Sequence, residues 1–104
     1  MLNIRESRKE KFLCEMNTFD ALLTPTFKSV APKVDEVDQS ISPGHFTRPF
    51  NYLGFCGVSI PVSLSKNCLP IGFQIIGRAT DEETVLRIGY AIESIIPSIG
   101  RPSL

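Results

Sequence analysis

Hydrophobic and polar positions change rhythm several times along this chain, and each change marks an element. Over residues 2–17 good helix formers place Phe12, Leu13 and Met16 on one stripe, which predicts a helix. The stretch from Arg5 to Lys11 is charged almost continuously, so that part is either solvated or packed on something absent. Residues 1–18 therefore read as the tail of a helix. Ala21-Leu22-Leu23-Thr24 is a short apolar run closed by Pro25, the pattern of a buried strand. From Pro25 to Tyr52 neither a helical nor a strand period persists, while prolines fall at 25, 32, 43 and 49 and Asp35, Glu36 and Asp38 cluster between them. A long connection of this kind is uncommon inside a compact small domain. Residues 25–52 are expected to form a Pro-rich crossing loop that wraps over a larger body, which marks the chain as a piece.

Regular alternation then returns. Val58, Ile60, Val62 and Leu64 form one face of a strand, and Ser59, Pro61 and Ser63 the other. Pro61 has no N–H for a ladder, so its nitrogen must point away from any neighbouring strand. Ser65-Lys66-Asn67 is a turn signal, and Ile71–Ile76 a second strand, which together predict a hairpin. Ile71, Phe73 and Ile75 share a face; Gly72, Gln74 and Ile76 oppose them, so both faces are expected to be at least partly covered. A buried Gln74 amide then needs partners on a neighbouring element. Thr80-Asp81-Glu82-Glu83 has the spacing of a capping box, with acids in the first turn that suit the helix dipole. Val85, Ile88, Ile92 and Ile95 follow at helical spacing, with Leu86, Gly89 and Ile96 alongside, and Pro97 stops the helix. Residues 53–96 thus predict a hairpin plus a capped helix over 81–96, with a frayed tail from Ser98 to Leu104. No internal repeat or low-complexity segment occurs. The fold class expected is α/β, or α+β for an isolated piece.

Composition narrows the function classes. The chain has 104 residues, enough for one domain at most, with 42% hydrophobic and 21% charged residues, an ordinary globular mixture. Eleven basic residues balance eleven acidic ones, so net charge gives no case for a nucleic acid or anionic membrane partner. No apolar run reaches the roughly 18–20 residues of a membrane span. Charge near the N-terminus displaces the apolar stretch of a secretory signal. Cys14, Cys56 and Cys68 are odd in number and unpatterned in spacing, against a disulfide framework or a zinc site, which makes a reducing cytoplasm the expected compartment.

Four ordered stretches carry a resemblance. They are Phe19-Asp20-Ala21-Leu22-Leu23-Thr24-Pro25-Thr26; Phe46-Thr47-Arg48-Pro49-Phe50-Asn51-Tyr52-Leu53-Gly54; Val58-Ser59-Ile60-Pro61 with Leu69-Pro70-Ile71-Gly72-Phe73-Gln74-Ile75-Ile76-Gly77-Arg78; and Asp81-Glu82-Glu83-Thr84-Val85-Leu86-Arg87. Together, over roughly residues 10–96, they resemble the C-terminal portion of the amidase-signature family, which includes one of the subunits of tRNA-dependent amidotransferases, the catalytic amidase-like one. The resemblance implies an α/β fold, a mixed twisted sheet with flanking helices, residues 1–104 being the C-terminal part of a single amidase domain. It also implies hydrolysis of carboxylic amides by a serine nucleophile, a bridging serine in a cis peptide and a lysine base. Those residues lie in a Gly- and Ser-rich segment upstream of anything present here, and this chain has no adjacent serines or glycines. No catalytic residue is therefore assigned, and the chain alone is expected to be inactive.

By the same resemblance His45, Phe46, Thr47, Arg48 and Asn51 are the substrate-cleft candidates, with no cofactor and no metal implied. Three of them have a plainer alternative. His45, the only histidine, also suits a surface loop; Arg48 and Asn51 suit loop tethers to backbone carbonyls. Cys56 invites a nucleophile reading with His45 as base, although a buried free cysteine is the commoner case. The Ser42–Thr47 stretch holds no carboxylate where the amidotransferase members usually carry one, which favours a general amidase over a glutaminase. The family's usual proline is also replaced at Cys56. The partner expected is a small-molecule amide in the complete enzyme. A stand-alone binding or oligomerisation module is the alternative, self-associating through exposed sheet edges or apolar faces.

Overall fold

The computed structural model of the chain describes residues 2–38, 44–97 and 99–100. Gln39 to Pro43 of the Pro-rich stretch, and Ser98 and 101–104 of the expected frayed tail, lie outside the described residues. The elements are α1 (Leu2–Glu15), β1 (Leu22–Pro25), a single 3-10 turn (Val34–Glu36), α2 (Arg48–Leu53), β2 (Cys56–Leu64), β3 (Pro70–Gly77) and α3 (Glu82–Ile95). The three strands form one sheet in the order β1-β3-β2. Both pairings are antiparallel, Leu23 facing Ile75 and Val58 facing Ile75 from the other side. Helices on a sheet give the α/β fragment the pattern predicts; among the described strands none runs parallel.

The alternation in β3 explains why two cores form. Ile75 turns to one face and is 0% exposed, packed with Ile60 and Val85, while Val58, Ile88, Ile92 and Cys56 close around them. Ile76 turns to the other face and packs with Met16, Leu53 and Phe55, bordered by Phe12, Leu13, Leu22 and Phe50. So α3 covers one side and α1 with α2 the other. Burying an isoleucine such as Ile75 contributes about 1.5–3 kcal/mol. Phe12 ties the second core together, its ring 6.2 Å from that of Phe50 and 5.4 Å from that of Phe55, within the range of favourable aromatic pairs. At the end of β3, Gly77 is buried, and a Cβ there would stand 2.5 Å from the Val85 Cγ2, so only glycine lets α3 approach this closely.

The hairpin forms as predicted. Its loop is closed by the Ser65 N–H donating to the Leu69 carbonyl (2.8 Å) and the Cys68 N–H to the Ser65 carbonyl (2.9 Å). Cys68 takes the left-handed conformation at φ 61°. β2 is an edge strand whose register slips between Pro61 and Ser63, where a residue without an N–H is tolerated.

Several expectations are corrected. The strand at Ala21–Thr24 is half-covered rather than buried: β1 lies at the sheet edge, and Leu23 is 55% exposed. Within the stretch expected to be an irregular loop, α2 forms, with Pro49 in its first turn and Gly54 as a left-handed C-cap at φ 75°. The capping box does not form. Thr80 sits at φ 64° and gives its hydroxyl hydrogen to the Ala79 carbonyl (2.6 Å), so the N-cap passes to Asp81 and the helix starts one residue later. Glu83 turns along the helix to Arg87 instead (2.7 Å). Ile95, placed on the inward stripe, is 82% exposed, and α3 ends there rather than at Ile96.

Candidate functional site

The segment 44–54 carries the cleft candidates, and its geometry follows from how it is anchored. Gly44 offers its carbonyl to the N–H groups of Thr47 (3.2 Å) and Arg48 (2.8 Å), which winds residues 45–47 into a turn that runs into α2. α2 is then closed by the Gly54 N–H donating to the Asn51 carbonyl (3.1 Å) and the Phe55 N–H to the Phe50 carbonyl (3.0 Å). Gln74 supplies the tether to the sheet. Only 6% exposed, it directs its amide nitrogen to the Phe46 carbonyl, to Thr24 Oγ1 (2.8 Å) and to the Pro25 carbonyl (3.5 Å). The partners expected for this amide are therefore found, and they fix the candidate segment against β1.

Two depressions border this frame. The first, of about 440 Å³, is lined by Arg8, Gly44, His45, Arg48, Pro49 and Tyr52. The His45 ring stands edge-on to Phe46, with centroids 4.8 Å apart. Of the five candidates, His45 and Arg48 line this groove. Phe46 is half-buried behind it, Thr47 forms the turn, and Asn51 is exposed on α2. Arg8 and Tyr52 had no functional reading from sequence. Arg8 lies in the charged turn, four residues before Phe12 of the apolar stripe, and its place at this groove depends on where α2 forms.

The second depression, about 740 Å³, runs along residues 25–32, Ser59 and residues 70–73. On its floor the Thr26 and Ser59 hydroxyls meet at 2.6 Å across the middle strand. Gly72 permits this, since a Cβ there would be 3.2 Å from both oxygens. Alternation gave Ser59 its face, but its pairing with Thr26 depends on β1 lying two strands away.

The Cys56 and His45 pairing is not assembled. Cys56 lies in the core on the α3 side and donates its thiol hydrogen to the Arg78 carbonyl (3.1 Å), whereas His45 lines the groove on the α1–α2 side. The sheet stands between them. Arg78 in turn holds the carbonyls of Met16 (2.7 Å) and Phe19 (2.9 Å), clamping the α1–β1 connection to the end of β3. Among the described residues no group of three or more His, Cys, Asp or Glu side chains could hold a metal ion. No helix among them is long and apolar enough to cross a membrane. The chemistry on offer is recognition by guanidinium and imidazole groups in the first depression, with hydroxyls in the second.

Comparison with known proteins places this arrangement. The sequence matches the family model described as Amidase over residues 1–86. It is 41% identical over 96 residues to the A-type subunit of the glutamyl-tRNA(Gln) amidotransferase of Acidobacterium capsulatum, covering 88% of this chain and 20% of the relative. Against the corresponding Brevibacillus brevis protein the identity is 45% over 87 residues, covering 80% and 18%. The crystal structure of the Thermotoga maritima counterpart superposes with a TM-score of 0.80 at 34% identity, covering 91% of this chain and 22% of that one. The chain thus spans about a fifth of the length of the curated relatives it matches. With the family model matching most of its length and the fold following it, the chain belongs to the amidase family.

Proposed function

We propose that this chain forms the C-terminal part of an enzyme that hydrolyses carboxylic amides, one wall of whose substrate cleft is the segment carrying His45, Phe46, Thr47, Arg48 and Asn51. The family match over residues 1–86 carries the reading. In it, a serine attacks the amide carbon, a bridging serine and a lysine move the protons, and backbone amides hold the oxyanion; such groups together supply a covalent route and a stabilised intermediate. None of these roles is assigned to a residue of this chain. Three cysteines without a disulfide, Cys14, Cys56 and Cys68, fit a reducing cytoplasm.

Two substrate classes remain to be separated. The absence of a carboxylate from Ser42 to Thr47 favours a general amidase. The identity of 41–45% to the amidotransferase relatives favours a glutaminase. A chimera tests both: this chain replaces the matching segment of the Brevibacillus brevis protein, and ammonia release is followed from glutamine and from a simple aliphatic amide. Release of ammonia by the chimera, with none from the chain alone, supports the reading, and the preferred amide assigns the class. A folded chimera inactive on both amides, or serine-reagent-sensitive turnover by the isolated chain, refutes it.

A second reading is a stand-alone module that self-associates. It is favoured by apolar side chains left open on β1, β3 and α3, including Leu23, Phe73 and Leu86.

A further inference from the structure

The larger of the two depressions joins apolar walls to a pair of hydroxyls. Phe27, Val30, Pro32, Ile71 and Phe73 are among the residues lining its volume of about 740 Å³, a size that takes a small molecule. Ile71 and Phe73 are 40% and 39% exposed, so apolar surface is left there for a ligand to cover. On the floor, Thr26 Oγ1 and Ser59 Oγ meet at 2.6 Å. A hydrogen bond between two hydroxyls uses one of their two hydrogens. The second hydrogen and the outer lone pairs find no partner among the described residues. Such a pair can donate to a carbonyl oxygen and accept from an N–H, the two needs of a carboxamide. Its place on the sheet is also suggestive of the candidate cleft. Ser59 faces Gln74 in the β2–β3 register. The Gln74 nitrogen that holds the Phe46 carbonyl also meets the carbonyl of Pro25, which lines the groove. Groove and candidate segment therefore meet at Gln74.

We propose that this groove binds an uncharged amide with an apolar chain, its carboxamide on the Thr26–Ser59 hydroxyl pair and its chain along the apolar walls. The proposal rests on the amidase reading and names its substrate class, an apolar amide rather than glutamine. Glutamine carries two charges at neutral pH, and apolar walls offer them nothing in exchange for water.

The test is an NMR titration of the intact chain with hexanamide, with acetamide and with glutamine. Saturable shifts confined to the backbone amides of residues 26–31, 59 and 71–73 are expected with hexanamide. Acetamide, which lacks the chain, should bind about tenfold more weakly or worse, and glutamine should give no saturable shift. The double variant Thr26→Val with Ser59→Ala should weaken hexanamide about two- to tenfold, the range of one neutral hydrogen bond. It removes both partners of one bond, a change that is nearly neutral for folding. Ser94→Ala on α3 should leave binding unchanged. Shifts that are linear or scattered over the chain overturn the proposal, as does binding of acetamide or glutamine as tight as that of hexanamide. An undiminished affinity in the double variant overturns it too. Ligand-free shifts at the same amides that grow with protein concentration would give the groove to a second copy of the chain and overturn it as well. The chimera reads turnover and the titration reads binding, so an inactive chimera beside saturable hexanamide binding refutes the amidase reading alone.

Discussion

Gln74 joins distant parts of this molecule through one polar side chain. Its amide nitrogen meets acceptors from residues 24, 25 and 46, so one group pins both β1 and the turn before α2. Leucine at this position would keep the volume and strand the Phe46 carbonyl and Thr24 hydroxyl. Gln74→Leu is therefore expected to cost about 1–3 kcal/mol, the penalty for buried groups left without partners. It should also speed hydrogen exchange across residues 44–50. An unchanged urea midpoint for the variant counts against this role. Gly77 makes a steric prediction of a similar size. Gly77→Ala sets a methyl 2.5 Å from Val85 Cγ2 and should cost about 1–3 kcal/mol through overpacking. Pairing it with Val85→Ala should recover part of the loss, and strictly additive costs would place the clash elsewhere. At this scale the sequence makes the need visible but not its answer. Alternation along residues 71–76 puts Gln74 opposite the apolar face, and a buried amide must have partners. Which carbonyls meet it depends on β1 and the α2 turn arriving from residues 28 to 50 positions away.

The elements themselves follow from periodicity wherever they are long enough to show it. α1, α3 and the hairpin are all legible in the apolar spacing. α2 is not, because six residues hold fewer than two turns; its only sequence signs were Pro49 and Gly54, the punctuation of a helix start and stop. The start of α3 shows a motif overridden by backbone conformation. A capping Thr needs an extended backbone, and Thr80 is held left-handed by the turn at Arg78–Asp81, so Asp81 takes the N-cap position, where its carboxylate accepts from the Thr84 hydroxyl (2.8 Å) and not from a backbone N–H. Two substitutions distinguish these arrangements. Thr80→Gly relieves a left-handed β-branched residue and should stabilise the fold by roughly 0.5–1 kcal/mol, after the greater freedom of glycine in the unfolded chain offsets part of the relief. Thr80→Ala should shift stability by less than about 0.5 kcal/mol, whereas a working capping box would lose about 1 kcal/mol. A destabilised Thr80→Gly variant in thermal melts would restore the capping role to Thr80.

The whole molecule is thin for its length. Its radius of gyration is 15.9 Å and its extents are 47 × 38 × 18 Å, where a closed domain of this size has a radius near about 13 Å. Among the described residues more large apolar side chains are exposed than buried, Leu23, Ile71, Phe73, Leu86, Tyr90 and Ile95 among them. The irregular stretch 25–52 reads in the sequence as a connection laid across a larger body. The curated relatives that the chain matches are about five times its length. What periodicity could not tell was which faces stay open, since exposure depends on the neighbour and not on the stripe. The open faces argue for self-association by the isolated chain. β1 offers a sheet edge with Leu23 beside it, and an unprotected edge with apolar neighbours is a template for a further strand. Sedimentation velocity over increasing concentration should therefore show a rising average coefficient. Leu23→Lys puts a charge beside the β1 edge and should lower that rise, while Leu86→Lys on α3 should leave most of it if β1 is the principal contact. A greater effect from Leu86→Lys would move the contact to the helix, and a concentration-independent monomer that unfolds cooperatively would show that the open faces are tolerated in water.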